Sequence, residues 1–132
     1  MIAIQRNQYI LLLSNCPCEV FDYFGVTEMH GLNLRDCIQY NNTNQDAYIA
    51  GLCNYIPKKS GIYENDDPRF VYINLSRCTD DFNTALLLHH ELMHCSFALH
   101  QWDVNKEEEI ITWADLESVE VFKIIKPIKT GG

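Results

Sequence analysis

Apolar residues first gather in the run Ile10-Leu11-Leu12-Leu13, and residues 1–13 read as a strand or the lead-in to a helix. Ser14 or Asn15 can cap a short helix that follows, with Pro17 in its first turn. Val20, Phe21 and Phe24 form its apolar face, and Gly25 ends it. Residues 30–46 are polar and rich in asparagine, which predicts a loop with one short helix over 34–38. Residues 47–56 read as a strand, with Gly51 in the place of a bulge. Turn residues crowd 57–68, so that stretch predicts a long hairpin connection. Residues 70–75 are β-branched and aromatic and form the clearest strand. Beyond them the pattern turns helical. Ser76, Thr79 or Asp80 can cap a helix over 81–100, on which Leu86, Leu87, Leu88, Leu92, Met93, Phe97 and Leu99 cover nearly the whole circumference. A helix apolar all round is expected to be buried. Residues 101–106 form a linker, and 107–125 a second helix closed by Pro127 and the final glycines.

These elements predict an α+β fold. At 132 residues the chain is one domain's worth, spanning 1–132. Ten Lys and Arg against 18 Asp and Glu leave a net charge of −8. Such a balance disfavours nucleic acid and anionic lipid, which need a basic footprint. No apolar run has the length of a membrane span, and the apolar stretch near the start is too short for a secretory signal core. A cytoplasmic protein is expected. Six cysteines, at 16, 18, 37, 53, 78 and 95, are then expected as reduced thiols.

The chemistry sits in His90-Glu91-Leu92-Met93-His94. Residues four apart stack on one helical face, so His90 and His94 can reach one metal ion. Glu91 stands beside that face, where it can take a proton from the attacking water. Zinc suits this donor set and lowers the pKa of its water towards about 7. Such a site needs a third protein ligand, and the residues leave it open among Glu107, Glu108 and His100. His100 stands six residues after His94, but Phe97 occupies the position where a sharp turn out of the helix wants glycine. At 100° per residue, Glu107 falls on the apolar side of the second helix with Ile110, Ile111, Ala114, Val121 and Ile125. Glu108 points a step away from it. Asp103 and Asp115 are candidates to orient a histidine, and His89 or a tyrosine to stabilise an oxyanion. His30 reads as a surface residue and Cys95 as core.

His90-Glu91-Leu92-Met93-His94, followed by Glu107-Glu108-Glu109-Ile110-Ile111-Thr112-Trp113-Ala114, resembles the ImmA/IrrE-type metallo-endopeptidases. Their pattern is HExxH in one helix and E-x-x-A-x-x-F-A in the next. Ile110 stands for the first Ala and Trp113 for the Phe, while Ala114 matches. Gly61-Ile62 and Val71-Tyr72-Ile73-Asn74 are also similar to that family's strand. The resemblance covers roughly residues 47–125, with HExxH as its specific part. It implies a zincin-like, gluzincin-type fold, with a small sheet packed on the motif helix. It also implies Zn2+ held by His90, His94 and Glu107, with Glu91 as general base. Family members cleave peptide bonds, often in repressor proteins.

Two expectations follow. The first is a zinc endopeptidase whose protein or peptide substrate adds to an edge strand near residues 70–75. The second is a non-catalytic interaction module with a structural or vestigial zinc, closed by His100 or Cys95.

Overall fold

The structure is a computed structural model and describes residues 1–43 and 49–129. Strands β1 (Ile2–Gln5) and β2 (Tyr9–Ser14) form an antiparallel hairpin, with Ile2 opposite Leu13. Helix α1 (Glu19–Phe24) starts later than predicted. Ser14 does not cap it, because its hydroxyl donates to the Cys16 carbonyl at 2.9 Å. Gly25 ends the helix as expected, in the left-handed region at φ 67°. Two short strands, β3 (Glu28–Met29) and β4 (Leu32–Asn33), and helix α2 (Leu34–Thr43) occupy most of the expected loop. The helix begins where predicted, with Asn33 Oδ1 accepting from the Asp36 backbone N–H at 2.8 Å, and runs five residues further.

Strand β5 is Gly51–Tyr55, and β6 is Arg69–Asn74. The beginning of the predicted 47–56 strand, residues 47 and 48, lies outside the described residues. The four-stranded sheet has the order β1-β2-β6-β5. Only the β2–β6 pair is parallel, and the 57–68 connection joins β5 to β6 as an antiparallel hairpin. Strand β6 is therefore interior, which corrects the expectation of an edge at 70–75. Both its faces are covered, which is why it reads as a continuous apolar run. Among the described residues, β1 and β5 are the edge strands.

After a 3-10 turn at Leu75–Arg77 comes α3 (Asp81–Leu99), capped by Asp80, whose carboxylate accepts from the Asn83 N–H. A second 3-10 turn, Val104–Lys106, leads into α4 (Glu107–Lys129), which runs past the predicted end through Pro127. Its last lysine donates to the Leu75 carbonyl at 2.9 Å, tying the helix end to the 3-10 turn that follows β6.

The sheet carries a core on each face. Tyr9, Leu11, Leu13, Val71 and Ile73 pack with Leu88, Leu92 and Cys95 of α3 and Ala114, Val121 and Ile125 of α4. Leu12, Phe70 and Tyr72 pack on the other face with Val20, Phe21 and Cys37. The architecture is α+β. Helix α3 is not buried all round as expected. The sheet covers one side and α4 another, while Phe82, 72% exposed, and Leu86 stand on an open third side. None of the six cysteines is in a disulfide, and three of them are buried. Among the described residues, no helix is long and apolar enough to cross a membrane.

Candidate functional site

The middle of α3 carries His89, His90, Glu91 and His94. Helical spacing sorts them. Glu91 turns inward and is 7% exposed, while His90 and His94 turn outward on one face. Their Nε2 atoms stand 3.3 Å apart. Two imidazoles sharing a tetrahedral ion at ordinary zinc–nitrogen lengths would place these atoms roughly 3.3 Å apart. The pair has the spacing of two ligands of one ion, which is also that of a hydrogen bond between the rings. Burial, and then the charge on His90, lower the pKa of His94 and favour the neutral form that a metal ligand needs. Glu91 Oε1 lies 3.9 Å from His90 Nε2. Burial is what lifts the Glu91 carboxyl, from 4.5 to about 7.

Glycine 51 makes that burial feasible. A methyl group there would fall 2.5 Å from Glu91 Cγ and 2.8 Å from Cδ. The pairing Gly51–Ile73 continues unbroken into Leu52–Tyr72, so the expected bulge is absent. The missing side chain instead lets the glutamate lie against β5.

A cleft of about 510 Å³ opens between β5 and the C-terminal half of α3. Glu91, His94, Gly51, Tyr55, Arg69 and Trp102 line it. His94 also borders a shallower groove with His90, Leu86, Met93 and Phe97. Trp102 reaches the cleft through two successive left-handed residues, Gln101 at φ 58° and itself at φ 59°. Non-glycine residues adopt that conformation at a cost of order 1–3 kcal/mol each. Its N–H donates to the Phe97 carbonyl at 2.7 Å, and its ring stacks on Phe97 at 5.4 Å. The chain does turn sharply here, four residues later than the position that lacks glycine.

Of the expected site residues, the structure brings together His90, Glu91 and His94. Glu107 and Glu108 stand exposed in the first turn of α4. Glu107 lies in line with buried Ile110 and Ala114, as the helical spacing predicts. Among the described residues, no third His, Cys, Asp or Glu joins the two histidines in a group fit to hold an ion. His100 turns back on its own helix, its Nδ1 donating to the Ser96 carbonyl at 2.7 Å. Cys95 is buried, and its hydrogen bond with Cys53 together with burial drives its pKa up. Asp115 accepts from His89 Nε2 at 3.0 Å, so it holds neither His90 nor His94. Asp103 caps the 3-10 turn, accepting from the Asn105 N–H.

His30 is exposed, as the sequence predicted. It lines the cleft, edge-on to Tyr55 and Tyr63, each at 5.3 Å between ring centres. Sequence reasoning missed Arg69, Tyr55 and Trp102. Arg69 left one signal, a charge at the head of an apolar strand; the other two left none.

No protein-family model, no curated protein and no solved structure matches the chain.

Proposed function

We propose that the chain is a zinc-dependent endopeptidase of the zincin-like, ImmA/IrrE type, with Glu91 as general base. What carries this reading is the pairing of two outward imidazoles, 3.3 Å apart, with a buried carboxyl beside them at the mouth of a cleft. His90 and His94 hold the zinc, and Glu107, at the start of the following helix, is its third ligand. Zinc bound there supplies Lewis-acid activation of water and of the scissile carbonyl.

The chain's own residues do the rest. Glu91, with a pKa near 7, accepts the proton of the attacking water and passes it to the leaving amine. The free edge of β5 runs past Glu91 along the cleft, so an extended peptide pairing with that edge would bring its backbone to the carboxyl. The substrate is a protein or peptide, a regulatory or repressor protein in keeping with the resemblance, and the setting is cytoplasmic.

One observation favours a second reading, a non-catalytic interaction module: only two candidate ligands are gathered among the described residues. A closed structural zinc would draw on Cys95 or His100, and both are engaged elsewhere.

Elemental analysis and peptide cleavage separate the two. Wild type should carry close to one zinc per chain, and His94→Ala and Glu107→Ala much less. Glu91→Gln should keep the zinc and lose cleavage by about 10²–10⁴-fold. No zinc in folded wild type, or undiminished cleavage by Glu91→Gln, would overturn the proposal.

A further inference from the structure

Strand β6 begins with a charge. Arg69, Val71 and Ile73 share one face by the two-residue period, and Val71 and Ile73 belong to the core beneath α3. The Arg69 guanidinium is drawn into the same layer, and the residue is only 5% exposed. A buried cation is costly unless a carboxylate answers it. Here the partners are weak. One terminal nitrogen donates to the Asn65 carbonyl at 3.2 Å and the other to the Asp67 carbonyl at 3.4 Å. The Tyr55 ring lies 4.0 Å from Cζ. The Asp67 carboxylate is already taken, by Lys58 Nζ at 2.7 Å and the Glu64 N–H at 2.8 Å. Among the described residues, no carboxylate comes within ion-pair distance of Arg69.

This guanidinium lines the cleft that holds Glu91 and His94. We propose that Arg69 is a substrate-specificity residue, the floor of a subsite for a carboxylate at the far end of that cleft. The inference rests on the peptidase reading. A guanidinium presents donors in a fork that fits a carboxylate, and burial strengthens the pairing. Its place along the strand sets the spacing. Gly51 touches Glu91, whereas Tyr55 pairs with Arg69, four residues on. Four strand residues span roughly 13 Å. A peptide extended along β5 therefore offers its carboxylate about four residues from the bond that is cut. That carboxylate comes from an Asp or Glu side chain or from the peptide's own C-terminus.

The test uses Glu91→Gln protein, which binds without turnover, and a randomised octapeptide library in two forms, with free and with amidated C-termini. Retained peptides are sequenced. With Arg69 in place, acidic residues should be enriched about tenfold at one position, or free-ended peptides should be preferred by as much. Loss of the preference on amidation assigns the C-terminus; its survival assigns a side chain. Adding Arg69→Met should abolish the preference. Adding Arg69→Lys, which keeps the charge and loses the fork, should weaken it and carries the test if the Met variant does not fold. No acid preference with Arg69 in place, or one unchanged in both variants, overturns the subsite. Wild-type cleavage without acid preference would sink the subsite and leave the peptidase standing. Acidic peptides retained but never cut by wild type would do the reverse.

Discussion

Where the β1–β2 turn meets α4, Arg6 Nε and the Tyr9 hydroxyl both donate to one oxygen of Glu117, at 2.7 and 2.8 Å. Where β5 meets α3, a buried carboxyl and a buried guanidinium line one cleft without answering each other. Among the described residues, Glu91 has His90 at 3.9 Å as its one polar partner, and Arg69 has two long bonds to carbonyls and a tyrosine face. Both junctions hold charge between the sheet and its helices. In the first the charges meet and tie two elements together. In the second they are kept apart, and the fold bears their desolvation while leaving their bonding capacity unspent. Closed polar junctions hold a fold, whereas open ones are poised for a ligand.

The largest test of this contrast is pH. Glu91 holds its proton up to about pH 7 in the folded chain and to about 4.5 when exposed. Between those values the native state binds a proton that the unfolded state has lost, so stability falls as pH rises. It is fully present below about 4.5 and is lost by the time pH passes about 7. Chelator-treated protein should lose about 3 kcal/mol more than Glu91→Gln across this window, followed by urea denaturation at successive pH values. Parallel curves would mean that Glu91 is not the buried acid described.

Next comes Gly51→Ala. Its methyl group would meet Glu91 at 2.5 Å, so Glu91 or β5 must shift, at a cost of about 2 kcal/mol. An unchanged melting temperature would show that the contact is not tight. A smaller difference separates the two arginine junctions. Glu117→Ala strands Arg6 and the buried Tyr9 hydroxyl and should cost about 1–2 kcal/mol. Arg69→Met removes a buried charge with no carboxylate partner and should cost less, within about 1 kcal/mol. If Arg69→Met proved the more damaging, the open junction would be structural after all. Smallest is His89→Ala. It breaks an exposed contact with Asp115 and should shift stability by less than about 0.5 kcal/mol.

The sequence carried the two long helices well, because Asp80 caps α3 and the apolar period of α4 places Ile110, Ala114, Val121 and Ile125 inward. It also carried the local part of the site, since His90, Glu91 and His94 share a helix whose geometry fixes their directions. What it could not carry was contact between distant segments. Gly51 read as a bulge because nothing in the sequence says that Glu91 lies against it. Strand β6 read as an edge because an apolar run does not reveal which strands flank it. Trp102 was invisible because its place depends on two left-handed residues that are not glycine. Glu107 falls on the face its periodicity predicted, yet at the helix start that face is open to solvent.

The parallel pairing of β2 with β6 has a consequence for how the molecule comes into being. Tyr9 pairs with Arg69 across sixty positions of chain. Until residue 74 has been synthesised, the β1–β2 hairpin lacks its central partner, and an isolated two-stranded hairpin is marginal in water. Strand β5 waits on the same residues, because among the described residues its sheet partner is β6. One six-residue strand thus supplies the partner that both β2 and β5 need, and it carries Arg69 to the wall of the cleft. Such long-range closure is slow compared with local contacts, so the wall of the cleft that β5 and Arg69 provide depends on the slowest kind of contact in the sheet.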